Sequence, residues 1–291
     1  MKEGFYTALG TPLDEFGNLI PSSFQKQVED QMEAGASGIL VMGGMGIGVY
    51  IKNSEYRRIA EAAVDEARGK CPVLISVADN SVARIFDKID GLKGLDIDGI
   101  VATTPFYYTV NQEELKHLFK KIADYSPFPL YLYDLPAITK VKINPVTIEY
   151  LMAAGSIKGI KTGDMLTAKL LMQSPVKKAD FSIMFSGSDL FDVAYKYGLR
   201  MNLDGMFSCT APVAAKMYGC LAKGEYEAAG NYYNSILSLR DTFVDVGIFG
   251  GFSCAMNLLG YEGMFYPDYS LRLNEGECCK VRECMKKCGL I

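Results

Sequence analysis

Eight short apolar runs, each followed by a segment with apolar residues at helical spacing, divide the chain from end to end, and few folds accept that rhythm. The runs read as strands are Phe5–Leu9, Gly38–Met42, Val73–Val77, Gly99–Thr103, Leu130–Tyr133, Ile157–Ile160, Phe181–Phe185 and Gly205–Ser208. Helix starts are marked between them: Ser22 with Gln25 three residues on, Ser54, Asn111, and Asn144 before Pro145, where proline in the first turn sacrifices no hydrogen bond. A repeat of roughly thirty residues is the length of a strand–helix–strand crossover, so successive strands run parallel. The pattern predicts an α/β fold, a (β/α)8 TIM barrel over residues 1–223 with a C-terminal helical extension over 224–291 packed on it. An open doubly wound sheet is the alternative, because periodicity does not report closure.

In such a barrel the chemistry collects at the C-terminal ends of the strands. Thr11, the glycines of 43–48, Tyr107, Tyr133, Lys161, Asp189 and Ser208 all fall there. Lys161 follows the sixth run in Ser156-Ile157-Lys158-Gly159-Ile160-Lys161-Thr162-Gly163-Asp164. Packing an ammonium at an inward strand end is costly, and desolvation lowers a lysine pKa, which makes the amine a nucleophile able to form a Schiff base. The plain alternative is a surface lysine, as most of the 30 Lys and Arg residues must be. Tyr107 and Tyr133 each follow a strand beside a proline, where a phenol can relay protons. With 18 tyrosines in the chain, either one alone reads equally as packing. Gly43-Gly44-Met45-Gly46-Ile47-Gly48 lacks both a Gly-Lys-Ser/Thr ending and a Gly-x-Gly-x-x-Gly spacing. It reads as a close backbone approach to a small anion or as a tight structural turn. Asp189 either binds a substrate hydroxyl or caps the next helix.

Composition narrows the function. A net charge of -4 argues against nucleic acid, which selects a basic face. No apolar run reaches the roughly 18 residues that span a bilayer, and Met1-Lys2-Glu3-Gly4 carries no signal pattern, so a cytoplasmic protein is expected. The single histidine, His117, excludes a His-rich metal site. The eight cysteines read as thiols in that compartment. Cys278, Cys279, Cys284 and Cys288 are not spaced as paired Cys-x-x-Cys knuckles, which disfavours structural zinc.

Thr11-Pro12, Thr104-Pro105-Phe106-Tyr107-Tyr108, Leu132-Tyr133-Asp134-Leu135-Pro136 and Gly159-Ile160-Lys161, supported by Ser186-Gly187-Ser188-Asp189 and Asp204-Gly205, occur in an order that resembles the dihydrodipicolinate synthase / N-acetylneuraminate lyase family of Schiff-base aldolases. The resemblance covers nearly the whole chain. It implies that Lys161 forms an imine with pyruvate or another 2-oxo acid, that Tyr133 transfers protons beside it, and that Tyr107 extends a relay toward solvent. It implies no metal or organic cofactor. By analogy it implies a homo-oligomer, a dimer or tetramer.

The departures from that pattern are specific. The family's loop after the second strand usually carries two hydroxyls and a glutamate; here Gly44, Met45 and Ile47 stand in their place. Backbone amides at Gly44 and Met45 would then hold the substrate carboxylate, with Thr11, Asp189 and Ser208 as further contacts, and the relay is broken. Ile138 replaces an arginine that takes the second substrate's carboxylate, which an isoleucine cannot imitate. Asp134 replaces a usual asparagine, and Leu190 a glutamate of the sialic acid lyase branch. The expectation is a lyase that makes or cleaves a C–C bond beside a lysine imine, with an aldehyde or sugar-acid adduct as partner. A dihydrodipicolinate synthase with an unusual pocket, and a non-catalytic keto-acid or sugar-acid binder, are the alternatives.

Overall fold

In the computed structural model, which describes residues 1–291, eight strands are ordered in sequence around a closed barrel, and every named strand pairing is parallel. The strands are β1 Gly4–Ala8, β2 Gly38–Val41, β3 Val73–Ser76, β4 Gly99–Thr103, β5 Leu130–Asp134, β6 Gly159–Thr162, β7 Ser182–Phe185 and β8 Met201–Asp204. The helices are α1 Pro21–Glu33, α2 Asn53–Ala67, α3 Val82–Leu92, α4 Gln112–Tyr125, α5 Pro136–Thr139, α6 Pro145–Ala153, α7 Met165–Gln173, α8 Phe191–Lys196, α9 Phe207–Lys223, α10 Tyr226–Val246, α11 Ile248–Leu258 and α12 Glu275–Lys287. This is the expected (β/α)8 architecture, with C-terminal helices after the last strand. No helix is long and apolar enough to cross a membrane, and all eight cysteines are free.

Two compact units make up the chain: residues 1–3 with 72–203, and residues 4–71 with 204–291. In the first, α4 starts as expected: Asn111 accepts from Glu114 N while Glu114 accepts from Asn111 N, and Leu115, Phe119 and Ile122 form its buried stripe. Ile100, Ala102, Leu132 and Ile160, on one side of β4–β6, are fully buried. The residues between them point the other way, as the pleat requires. On that side Gly99 and Gly159 make room for the Tyr131 ring, whose atoms would lie 2.6 and 2.7 Å from a Cβ at either position.

In the second unit, two buried glutamines on α1 tie the chain together. Gln27 exchanges hydrogen bonds with both backbone groups of Gly10, at 3.0 and 3.1 Å. Gln31 accepts from Thr7 Oγ1 and donates to the carbonyls of Phe207 and Ser208. The second of these bonds has a local cause: Pro212, four residues after Ser208, has no N–H to offer that carbonyl. The helix kinks there, with Thr210 at φ -130° and ψ 17°. Phe243, Phe252 and Phe265 meet edge to face at 6.4 and 6.0 Å and fill the core between the C-terminal helices.

The eighth strand is a correction. Gly205–Ser208 was the run expected to be extended, yet the strand is Met201–Asp204 and residues 207 onward are helical. Asp204 Oδ1 accepts from Met206 N at 2.8 Å, a turn that ends the strand and starts α9. A four-residue apolar run carries too little periodicity to separate a strand from a helix start. Likewise α1 and α2 begin after Ile20 and Lys52, with no side-chain cap from Ser22 or Ser54, and β6 runs two residues further than expected. Lys161 therefore lies inside the strand rather than just past it.

Candidate active site

Lys161 is 6% exposed, and its amine engages no hydrogen bond or ion pair. Nζ stands 4.0 Å from the centroid of the Tyr133 ring. Register explains the meeting: Tyr133 pairs with Lys161 across β5 and β6, so both side chains leave the sheet on the same side. Thr103 pairs in turn with Tyr133, and Met184 with Lys161, which makes one row of Thr103, Tyr133, Lys161 and Met184 near the C-terminal ends of β4–β7. The amine lies over an electron-rich ring face, largely out of solvent, with no carboxylate paired to it.

Behind this row, on the opposite side of the same strands, a charged cluster pins the strand ends. Asp134, 2% exposed, accepts from Thr162 Oγ1 at 2.9 Å and from Ile143 N at 3.1 Å, and it forms an ion pair with Lys142. Lys142 also reaches Asp164, at 3.0 Å. Asp164 caps α7, accepting from Leu166 N at 2.9 Å and from Thr167 Oγ1 at 2.8 Å. The residues that follow Tyr133 and Lys161 in sequence are thus bonded to one another, which fixes how the two side chains face. Burial pushes the Asp164 carboxyl up, but the hydrogen bonds from Thr167 and Lys142 and the lysine charge outweigh it and hold the group below the usual carboxylate range. A lowered folded-state value means that the ionised group stabilises the fold above about pH 4 and that this contribution drains away as the pH falls through the folded value. The stability difference between the parent and Asp164→Asn, read from urea midpoints, is therefore expected to be full at pH 6 and to shrink below pH 4.

The other expected site residues are placed as follows. Tyr107 is 76% exposed; its ring packs edge-on against Tyr108 at 4.7 Å, and its backbone N donates to Asn80 Oδ1. Neither the Tyr107 nor the Tyr133 phenol makes a hydrogen bond, so no relay links them within the chain. Ile138 is exposed on α5. The N-cap of α8 is Leu190, not Asp189.

The remaining residues belong to the second unit. Thr11 is fully buried and donates to Gly46 O at 2.7 Å, which anchors the glycine loop. Met42 and Ile47, at either end of that loop, sit at φ 54° and 47°. For a β-branched residue this is a strained backbone, of the kind concentrated at functional sites. The amides of Gly44 and Met45 donate to no protein group, whereas Ile47 N and Gly48 N turn back onto Gly44 O and Gly43 O. Met45 packs against Gly205, where a Cβ would approach it to 2.7 Å. Ser208 Oγ donates to Ala8 O. A cavity of about 410 Å3 beside α11 and the start of α12 is lined by none of these residues.

Sequence reasoning missed Thr103, Lys142 and Thr162, and it noted Asp134 only as a departure. Strand pleat alone would have paired Thr103 with Tyr133 had the register been known. Nothing in the sequence links Lys142 to Asp134.

A closed parallel barrel of eight strands alternating with helices defines a protein of the TIM-barrel class. Residues 1–267 match the Dihydrodipicolinate synthetase family. The chain belongs to that family, whose members are lyases of the Schiff-base aldolase type. It is 28% identical to the 4-hydroxy-tetrahydrodipicolinate synthase of Gluconacetobacter diazotrophicus, with 100% of this chain and 98% of that protein covered. The enzyme of the same name from Nitrobacter hamburgensis is 27% identical, over 88% of this chain and 86% of its own. Among solved structures, YagE from Escherichia coli K12, a prophage protein of the dihydrodipicolinic acid synthase family crystallised with pyruvate, superposes with a TM-score of 0.91 at 20% identity, each chain covered in full. Dihydrodipicolinate synthase from Thermotoga maritima superposes at 0.90 and 20%, again in full. At these identities the superpositions establish the fold.

Proposed function

We propose that this lyase forms an imine between Lys161 and the ketone of pyruvate or another 2-oxo acid, and makes or cleaves the adjacent C–C bond with a sugar-acid type of substrate. The observation that carries the reading is the Lys161 amine, buried, unpaired and stacked over Tyr133. The Nζ lone pair attacks the ketone carbon, and the carbonyl oxygen takes up a proton. Loss of water then leaves a protonated C=N bond. That cation draws in the electron pair released when a C–H or C–C bond on the neighbouring carbon breaks, giving an enamine; running the steps backward joins an aldehyde. Tyr133, beside the amine, is the group suited to move the protons. In the second unit, the unbonded amides of Gly44 and Met45 are suited to a small anion.

Borohydride reduction in the presence of pyruvate, followed by peptide mass spectrometry, tests the proposal. A reduced pyruvyl adduct on Lys161 is expected. No adduct with pyruvate or with a panel of longer 2-oxo acids would support a protein that binds such acids without turning them over, consistent with Gly44 and Met45 standing where hydroxyls are usual.

The relatives' names favour a second reading, condensation of pyruvate with aspartate semialdehyde. Ile138 argues against it, since an exposed isoleucine offers nothing to that aldehyde's carboxylate. The parent is expected to use aspartate semialdehyde poorly. Ile138→Arg should raise kcat/KM for it by about tenfold or more, the scale of one charge-assisted bidentate contact. An efficient parent reaction with aspartate semialdehyde would overturn the sugar-acid preference.

A further inference from the structure

Among the buried polar side-chain atoms, three have no hydrogen-bond partner: Thr103 Oγ1, Ser174 Oγ and Asn202 Oδ1. Ser174 follows α7, and Asn202 pairs with Phe185, one position out of the row that holds Lys161. Thr103 is different. It is 8% exposed, it pairs with Tyr133, and it points to the side on which Tyr133 and Lys161 meet. Leaving a hydroxyl buried and unbonded is costly, so an orphan of this kind in a native fold calls for a partner absent from the free protein. The Tyr133 phenol, on the neighbouring residue of the row, does not serve as that partner.

The lean of the lysine suggests what does. Tyr133 stands between Thr103 and Lys161 in the row, and Nζ lies 4.0 Å from the centroid of its ring. A carbon bonded to Nζ therefore lies on the side of the strands that carries the Thr103 hydroxyl. We propose that the Thr103 hydroxyl is a substrate contact that donates a hydrogen bond to the oxygen of the Lys161 adduct, the former ketone oxygen on the carbon attached to Nζ. This inference rests on the imine reading above. The bond exists only once the amine has added: the C–N bond forms, the carbonyl π pair moves to oxygen, and that oxygen is protonated and later leaves as water. Thr103 orients and stabilises the oxygen throughout and neither gains nor loses a proton overall.

Thr103→Val keeps the shape and removes the hydroxyl; Thr103→Ser keeps the hydroxyl. The rate of borohydride-trapped pyruvate adduct at Lys161, and kcat/KM with the best 2-oxo acid substrate, are expected to fall about tenfold or more in Thr103→Val and to stay within a few-fold in Thr103→Ser. The melting temperature of Thr103→Val should be unchanged or higher, because an unbonded polar group has been removed; a packing role would instead lower it. Equal trapping rates in the parent and Thr103→Val, or equal losses in both variants, would overturn this inference and leave the imine reading intact. Failure of the parent to trap any 2-oxo acid would overturn both.

Discussion

Lys161→Met is expected to abolish turnover and raise the melting temperature in the same variant. The nucleophile is removed, so activity should drop by at least about a thousandfold, and no borohydride-trapped adduct should form at any substrate concentration. Methionine is close to lysine in length and fills the same space over the Tyr133 ring without an amine to desolvate. An amine buried with no carboxylate beside it costs roughly 1–3 kcal/mol against an apolar group, which predicts a rise of about 2 °C or more. The pairing of the two results is informative: lost activity with lost stability would point to a broken fold, whereas lost activity with gained stability points to a strained functional group. Lys161→Arg separates charge from chemistry, since a guanidinium keeps the positive charge but does not form the imine. Turnover that survives either substitution would end the proposed mechanism.

Asp134→Ala is expected to be the most damaging change outside the amine itself. It leaves Thr162 Oγ1 and Ile143 N without their acceptor and Lys142 with Asp164 as its one carboxylate. Leaving a buried donor without its acceptor costs about 1–3 kcal/mol per group, readable in the urea midpoint. Activity should fall further than stability explains, because the cluster holds the ends of β5 and β6, which carry Tyr133 and Lys161. A misplacement of about 1 Å between reacting groups costs on the order of a hundredfold in rate. Asp134→Asn should be milder, as an amide oxygen still accepts from Thr162 or Ile143. The ion-pair contribution is isolated by a double-mutant cycle with Lys142→Met: the lysine substitution should cost less in the Asp134→Asn background than in the parent. Additive effects would show that the pair does not act as a unit.

Lys161 and Tyr133 were legible in the sequence because one follows and the other ends a short apolar run, and a run of four residues with turn signals on both sides can be located to within about a residue or two. Thr11 and the glycine loop were legible for the same reason. Tyr107 was located but not its environment: the residue is exposed and stacks on its own neighbour, so no bond to Tyr133 forms in the chain. The eighth strand was misplaced because Gly205-Met206-Phe207-Ser208 is apolar in both a strand and a helix start, and the Asp204 turn that decides between them leaves no periodic trace. Lys142 and Thr162 escaped notice, and Asp134 drew notice only as a departure, because their link is a loop-to-strand ion pair and a hydrogen bond between strands 28 residues apart.

The sequence by itself determined the α/β alternation, the parallel connections and the lysine and tyrosine at two neighbouring strand ends, since all of these follow from local periodicity and turn chemistry. Only the tertiary structure decided barrel closure, the register that sets Thr103, Tyr133 and Lys161 in one row, and the cluster behind them. Register is a property of two strands at once: a shift of one residue would turn every side chain to the opposite face, and no single strand carries the information that forbids it.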